Sequence, residues 1–127
     1  MKRLALGLSL VVLMAFAPSV SAAQSQFSGM WVSTDPADGS TQVLLVSAGD
    51  TPAVSYIDFY ASSCANRGSP TTQFTAAGHG VIDADSLVVD FHKSGCGRSG
   101  MGGFTLGWTY DNGTLVDEFG IVWDRAP

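Results

Sequence analysis

The sequence predicts an all-β protein, a small antiparallel up-and-down barrel of about eight short strands with one disulfide. Three observations lead to this prediction. β-Branched and aromatic residues recur in short runs that turn-forming residues interrupt, and no stretch after the N-terminal segment shows a sustained helical period. Consecutive runs are joined by short turn-like segments, as in a series of hairpins. Two cysteines lie in two of the longer connections.

Seven runs are predicted to form strands, and bends in the longer runs give a total of seven to nine strands. The fourth run is expected to bend at Gly78 or Gly80, and the last to bend or split at Gly120. The predicted strands cover residues 27–33, 41–47, 54–61, 71–82, 86–93, 103–110 and 114–125.

Side-chain alternation supports these strands. Leu87, Val89 and Phe91 fall on one face of their run, because residues two apart in a strand point the same way. Residues 104–110 alternate similarly. The segment 111–113 ends in Asn-Gly, a strong hairpin signal because both residues tolerate positive φ. Sequential hairpins of this kind can close into a barrel, which hides the edge strands.

The N-terminal segment has the pattern of a secretory signal peptide. Two basic residues precede an apolar run over residues 4–16, and Val20-Ser21-Ala22 supplies small residues at a cleavage site. The apolar run is too short to anchor the chain in a bilayer. We therefore predict a signal peptide over residues 1–22 and a single barrel domain over 23–127, secreted or periplasmic, without a membrane anchor and monomeric.

The charge balance argues against nucleic acid as a partner. The chain has six Lys and Arg residues against eleven acidic residues, and two of the six lie in the predicted signal peptide. The remaining four bases and eleven acids leave a net charge near −7 (4 − 11). Binding a phosphate backbone needs clustered Lys and Arg, whereas these four are scattered.

Cys64 and Cys96 are predicted to form a disulfide, because an exported chain with an even number of cysteines usually pairs them. Free or intermolecular thiols and a metal site are the alternatives. In an up-and-down order, alternate connections lie at the same end of the barrel. The connections over residues 62–70 and 94–102 hold the two cysteines and share an end with residues 34–40.

The two ends of the predicted domain resemble a known family. Gly29-Met30-Trp31, preceded by Phe27, is similar to the Gly-x-Trp motif that opens lipocalins and related calycin barrels, and Arg125 sits where those barrels often place an arginine. The resemblance implies a barrel floor closed by Trp31, with Arg125 stacked on its ring. Classical lipocalins are longer and carry a helix after the barrel. The size here is closer to small periplasmic metalloprotease inhibitors or avidin-like barrels, and no functional residue of either can be matched.

No catalytic or metal-binding constellation is recognisable, so the protein is predicted not to be an enzyme and to need no cofactor. His79 and His92 are isolated and are interpreted as solvated side chains. No Gly-x-Ser-x-Gly elbow, phosphate loop or zinc-binding helix occurs. Asp35 and Asp38 lack the spacing of a calcium loop and are interpreted as turn formers.

Candidate ligand-binding residues come from two places. Asp58, between Tyr56 and Tyr60 on one face of the third strand, could orient a polar group of a ligand inside an aromatic cup. Arg67 and Arg98 flank the cysteines and could receive an anion or an acidic partner. Met101 in the same loop region is a candidate apolar contact.

Two classes of function remain open. The first is an exported, non-enzymatic barrel that holds a small apolar or amphipathic ligand or presents loops to a partner. The second is a protein-directed inhibitor or interaction module with a filled interior. The partner is thus a small molecule or an extracytoplasmic protein. The interior distinguishes the two classes: if Trp31, Phe91, Trp108 and their neighbours fill the barrel, the ligand-carrier hypothesis fails.

Overall fold

The strands form one antiparallel sheet that closes into a barrel. The computed structural model describes residues 24–66, 71–97, 99–100 and 102–127. The sheet order is β4-β3-β2-β1-β9-β8-β7-β5, and the β4–β5 pairing closes it, so eight strands form the wall. A two-residue strand, β6, pairs with the end of β5. The elements are β1 Gly29–Thr34, β2 Thr41–Val46, β3 Ala53–Phe59, α1 Ser62–Ala65, β4 Phe74–Asp83, β5 Ser86–Cys96, β6 Ser99–Gly100, β7 Phe104–Asp111, β8 Thr114–Asp117 and β9 Val122–Arg125.

The predicted fold class is confirmed, with local differences at strand ends. The last predicted strand is split by a turn in which Gly120 has φ +81°. The fourth bends through a register shift between Ala77 and Gly78. The third ends early because Tyr60 adopts φ +64° and α1 follows. This four-residue helix was not predicted. Across the described parts of the chain, no helix has the length and apolar character to cross a membrane.

The connections divide the barrel into two ends. The β1–β2, β3–β4, β5–β7 and β8–β9 connections share one end, called here the loop end. The β2–β3, β4–β5 and β7–β8 connections share the other, called the turn end. The turns after β4 and β7 each take two residues, with Ala84 and Asn112 at positive φ. The predicted meander therefore holds along the whole described chain.

Aromatic side chains fill the barrel interior. Tyr56 lies 6.0 Å from Trp123 between ring centroids, and Trp123 lies 6.0 Å from Trp108. Trp108 in turn contacts Phe91 at 6.4 Å. Closely packed protein interiors leave few voids larger than a water molecule. The other buried members of the cluster are Phe27, Trp31, Leu44, Val46, Val54, Ala76, Leu87, Val89 and Leu115.

Trp31 and Arg125 close the turn end as predicted. Trp31 is 0 % exposed, and its indole Nε1 donates to the Phe27 carbonyl at 2.8 Å. The Arg125 Cζ lies 4.2 Å from the Trp31 ring centroid, a cation–π contact. The same guanidinium donates to the carbonyls of Ser28 at 2.7 Å and Gln26 at 2.8 Å. The Arg125 side chain thus links β9 to the Trp31 ring and to the segment that precedes β1.

The glycine of the Gly-x-Trp motif has a steric reason. Gly29 has φ +125°, and a Cβ built on it would lie 2.7 Å from the Arg125 Nη1. Residues other than glycine rarely adopt that φ. The Arg125 guanidinium also occupies the space that a side chain at position 29 would need. Gly29, Trp31 and Arg125 therefore form one interlocked unit.

The Cys64–Cys96 disulfide is present and joins α1 to the end of β5. Both cysteines are 0 % exposed and pack with Ala61 and Phe74. Cross-links of this kind persist in oxidising compartments, so the bond indicates an extracytoplasmic environment. The predicted signal peptide at residues 1–22 lies outside the described residues.

We predict that replacing both cysteines by alanine lowers the free energy of unfolding. The bond joins residues 32 apart in sequence, and a loop of that size corresponds to about 3–4 kcal/mol in the chain-entropy account. Urea denaturation of C64A/C96A measures the loss, and the unmodified protein in dithiothreitol serves as the control. A loss under about 1 kcal/mol would contradict the prediction.

We predict that Gly29→Ala destabilises the fold by about 1–3 kcal/mol from backbone strain, with an added cost from the contact with Arg125. Gly113→Ala is the matched control, because Gly113 has φ +95° and a Cβ added there would meet nothing within 4 Å. In an Arg125→Ala background the cost of Gly29→Ala should fall, whereas that of Gly113→Ala should not. Equal costs of Gly29→Ala in both backgrounds would show that the two residues are uncoupled.

Candidate functional site

An aromatic hollow opens at the loop end of the barrel. Its volume is about 440 Å³, and it is called here the mouth cup. Larger hollows on the described surface lie on the outer wall or at turns, for example one beside Lys93 and one at Asn112. The mouth cup differs from them because it combines aromatic rings with a buried carboxyl. It is lined by Tyr56, Asp58, Ser63, Phe74, Phe104, Thr105, Leu106, Glu118 and Phe119.

Strand alternation places the cup residues. In β3 the buried positions are Val54, Tyr56 and Asp58, so Asp58 is the inward residue nearest the loop end. Phe104 is the corresponding residue at the start of β7, and Phe74 that at the start of β4. Residues from β3, β4 and β7 therefore converge on one opening.

Contacting aromatic rings form the floor of the cup. Phe74 lies 5.9 Å from Tyr56 and 6.1 Å from Phe104, measured between ring centroids. Phe104 stacks on buried Phe91 at 4.8 Å. The floor is therefore continuous with the packed interior, and a ligand in the cup would rest on it rather than enter the barrel. The packing of Trp31, Phe91 and Trp108 accounts for this shallow site.

Asp58 is the polar group of the cup. Only 7 % of the residue is exposed, and it pairs in register with Gln42 of β2, which is 5 % exposed. Within the described chain, Asp58 Oδ1, Gln42 Oε1 and Ser40 Oγ have no hydrogen-bond partner. Buried polar atoms normally find one. These three atoms lie on β3, on β2 and in the β1–β2 connection, behind the aromatic opening.

Burial raises the pKa of the Asp58 carboxyl, and the negative charges of Asp38 and Asp35 raise it further. The side chains of Ser40 and Gln42 offset part of this shift, although neither makes a hydrogen bond of good geometry with Asp58 Oδ1. Burial likewise raises the pKa of Tyr56, so its hydroxyl stays neutral. The cup therefore holds a carboxyl whose charged form is disfavoured.

The two aspartates of the β1–β2 connection have structural partners, in line with their predicted role as turn formers. Asp38 accepts from the backbone N–H of Ser40 and from that of Ser62, both at 3.0 Å. These bonds, chiefly the one from Ser40, hold the pKa of Asp38 well below its usual range. Asp35 accepts from the Ala37 N–H at 2.8 Å and from Gln42 Nε2 at 3.3 Å. The connection is thereby fastened to α1 and β2.

Asp117 shapes the β8–β9 turn at the opposite side of the cup. Its Oδ1 accepts from the backbone N–H of Phe119 and of Ile121, each at 2.9 Å. Its Oδ2 accepts from Trp123 Nε1 at 3.1 Å. This carboxylate is fully engaged, and it positions Phe119, which is 74 % exposed, at the rim.

The other candidate ligand-binding residues have different outcomes. Tyr60 does not share the face of Tyr56 and Asp58, because its positive φ ends the strand and leaves it 78 % exposed. The expectation that Tyr60 shares one face of β3 with Tyr56 and Asp58 was wrong, whereas its contact with a ligand stays a prediction. Arg67, Arg98 and Met101 lie outside the described residues.

Sequence reasoning missed most of the cup. Phe74, Phe104 and Phe119 come from separate elements, and nothing in their local sequence brings them together. Gln42 had a signal: it shares the inward face of β2 with Leu44 and Val46, where a polar residue is out of place. An unexpected polar residue on an apolar face could have identified the neighbour of Asp58.

The two histidines lie on the outer wall, away from the cup. His79 and His92 are exposed, and their rings stack at 5.6 Å between centroids. Across the described ranges, no group of three or more His, Cys, Asp or Glu residues could hold a metal ion.

Comparison of the chain with protein-family models, with curated proteins and with solved structures found no match.

We predict that Asp58→Asn stabilises the folded protein at neutral pH. A carboxyl whose pKa is raised by folding destabilises the folded state above that pKa, and the penalty fades as the pH falls through it. The melting temperature of Asp58→Asn should exceed that of the unmodified protein at pH 7, and the two should converge in acid. Asp90→Asn, on the exposed outer face of β5, is the control. A lower melting temperature for Asp58→Asn at pH 7 would refute the prediction.

Proposed function

We propose that this protein is an exported, non-enzymatic binding barrel that holds a small apolar or amphipathic ligand in the mouth cup. The observation that carries the proposal is an aromatic hollow with one buried carboxyl that lacks a complete set of partners. Ligand sites are commonly apolar hollows with a few placed polar groups. Side chains fill the interior, which by the criterion given above excludes a ligand carried inside the barrel, so the proposal is limited to a ligand at the mouth.

The proposed kinship is with calycin-type barrels of compact size. It is supported by the closed eight-stranded antiparallel wall and by the interlocked Gly29, Trp31 and Arg125 at the turn end. Export is supported by the disulfide and by the pattern of residues 1–22. These features bear on architecture and compartment, whereas the mouth cup bears on binding.

A second candidate function is a protein-directed inhibitor or interaction module. It is supported by three exposed aromatic side chains at the loop end, Phe59, Tyr60 and Phe119. Exposed aromatic residues on a rigid scaffold are frequent anchors for protein partners. The packed interior suits this function as well, since a partner needs no cavity.

We predict that the neutral dye N-phenyl-1-naphthylamine binds in the mouth cup and becomes more fluorescent there. Phe119→Ser removes one aromatic wall and should weaken binding about five- to tenfold, the scale of one lost aromatic contact. Because Phe119 is 74 % exposed, the substitution should leave the melting temperature nearly unchanged.

Two control variants test whether the dye binds in the mouth cup. Val88→Ser alters an exposed apolar residue of the outer wall, and Tyr60→Ser alters an exposed ring that does not line the cup. Both should keep the dye affinity of the unmodified protein. Failure of the dye to bind, or equal loss in all three variants, would overturn the assignment of the ligand site to the cup.

A further inference from the structure

We propose that the ligand of the mouth cup carries an ammonium group, which lies against Asp58 while the apolar part of the molecule rests on the aromatic rings. This inference rests on the proposed function and specifies its ligand class. It combines the unsatisfied acceptors behind the cup, the charges around the opening and the rings that line it.

The buried polar atoms behind the cup call for a hydrogen-bond donor. Asp58 Oδ1 in its charged form and Gln42 Oε1 can only accept, and neither has a donor in the described chain. The amide nitrogen of Gln42 is already committed to Asp35. The side chains of Ser40 and Gln42 lie close enough to Asp58 to lower its pKa, but neither completes a hydrogen bond to Oδ1. Of these three residues only Asp58 lines the cup, so an ammonium group there would donate to the Asp58 carboxyl.

The charges around the opening have one sign within the described part of the chain. Asp35 and Asp38 raise the pKa of Asp58 from the β1–β2 side, and Glu118 lines the cup from the β8–β9 side. Asp117, in β8, also acts on neighbouring Tyr56 through its negative charge. A hollow with apolar walls and acidic surroundings concentrates cations.

The described basic side chains do not neutralise this potential. Lys93 is exposed on the outer face of β5, and Arg125 is held at the turn end by Trp31 and two backbone carbonyls. Arg67 and Arg98 belong to the β3–β4 and β5–β7 connections and lie outside the described residues. The experiment below therefore includes them.

The lining of the cup suits a cation with an apolar body. Tyr56, Phe74, Phe104 and Phe119 present aromatic surface within one hollow. An ammonium group is attracted to the face of such rings, and the attraction grows where water is excluded. A carboxyl beside these rings adds a directed charge, so the cup can distinguish an amine from an alcohol of the same shape.

Binding of a cation should be linked to the ionisation of Asp58. The charged groups that act on this carboxyl are Asp35 and Asp38, and Glu118 lines the same cup. All three are negative, and the neighbouring Tyr56 is neutral. A bound ammonium group favours the charged carboxylate and opposes the upward pKa shift that burial imposes. Affinity for a permanently charged amine should therefore increase as the pH rises through the pKa of Asp58, and fall in acid.

The test uses three small molecules with one apolar body: 2-phenylethylammonium, 2-phenylethanol and 3-phenylpropanoate. Dissociation constants are measured by NMR titration of the full folded domain at pH 7.5. The ammonium compound should bind at least tenfold more tightly than the alcohol, and the carboxylate most weakly. Asp58→Asn should reduce ammonium binding to the level of the alcohol and leave the alcohol unchanged, whereas Asp90→Asn should change neither.

The possible outcomes separate this inference from the proposed function. If all three compounds bind equally and Phe119→Ser weakens each, the cup binds ligands but the ammonium preference is wrong. If 3-phenylpropanoate binds best and Arg67→Ala with Arg98→Ala abolishes that binding, the site prefers anions and the inference is overturned. If none of the three compounds nor the neutral dye binds, both proposals fail. If only a lysine-containing peptide binds, the cup serves a protein partner and the small-molecule assignment is overturned.

Discussion

Closure of the barrel depends on the contact between its first and last strands. The β1–β9 pairing contains only two register pairs, Trp31 with Arg125 and Val32 with Asp124, the fewest of any pairing in the eight-stranded wall. The Arg125 side chain adds its stack on Trp31 and two hydrogen bonds to the N-terminal segment. Ser33 Oγ adds another bond by donating to the Val122 carbonyl at 3.0 Å. Side-chain contacts thus supplement the short backbone pairing between β1 and β9.

The two ends of the barrel use polar groups in opposite ways. At the turn end, the indole Nε1 of Trp31 and the guanidinium of Arg125 donate hydrogen bonds to backbone carbonyls. At the loop end, Asp58 and Gln42 keep buried oxygen atoms without partners in the described chain. Proteins commonly keep such locally unfavourable groups where binding requires them, and recover stability elsewhere. The contacts at the turn end and in the packed core stabilise the fold, whereas the unpaired buried oxygen atoms at the loop end destabilise it.

The strands, the turns and the position of the disulfide could be predicted, because each depends on a local sequence pattern. Period-two alternation identified the strands, Asn-Gly marked the β7–β8 turn, and the order of hairpins placed Cys64 and Cys96 at one end. The Trp31–Arg125 contact followed from resemblance to a known motif, and its steric basis at Gly29 became visible only in three dimensions. Composition and spacing therefore predicted the wall and the cross-link, whereas the family resemblance predicted the contact between Trp31 and Arg125.

The mouth cup was predictable only in part. Asp58 and Tyr56 were placed correctly because both belong to one strand, whereas Tyr60 was misplaced because a single positive φ ended that strand. Phe74, Phe104 and Phe119 meet through the curvature of the closed sheet, which no local pattern encodes. The pKa of Asp58 depends on neighbours in another strand and in a connection, so it could not be read from its own segment.

The pairing of β1 with β9 also limits when the barrel can close. Arg125 bonds to Ser28, 97 residues earlier in the chain, so the contact that closes the barrel spans nearly the whole domain. Contacts between distant residues form slowly, because a long loop must be closed before they yield any stabilisation. During synthesis from the N-terminus, β1 is made first and stays without β9, with one of its edges unpaired. The wall therefore cannot close until β9 has been synthesised and has reached β1.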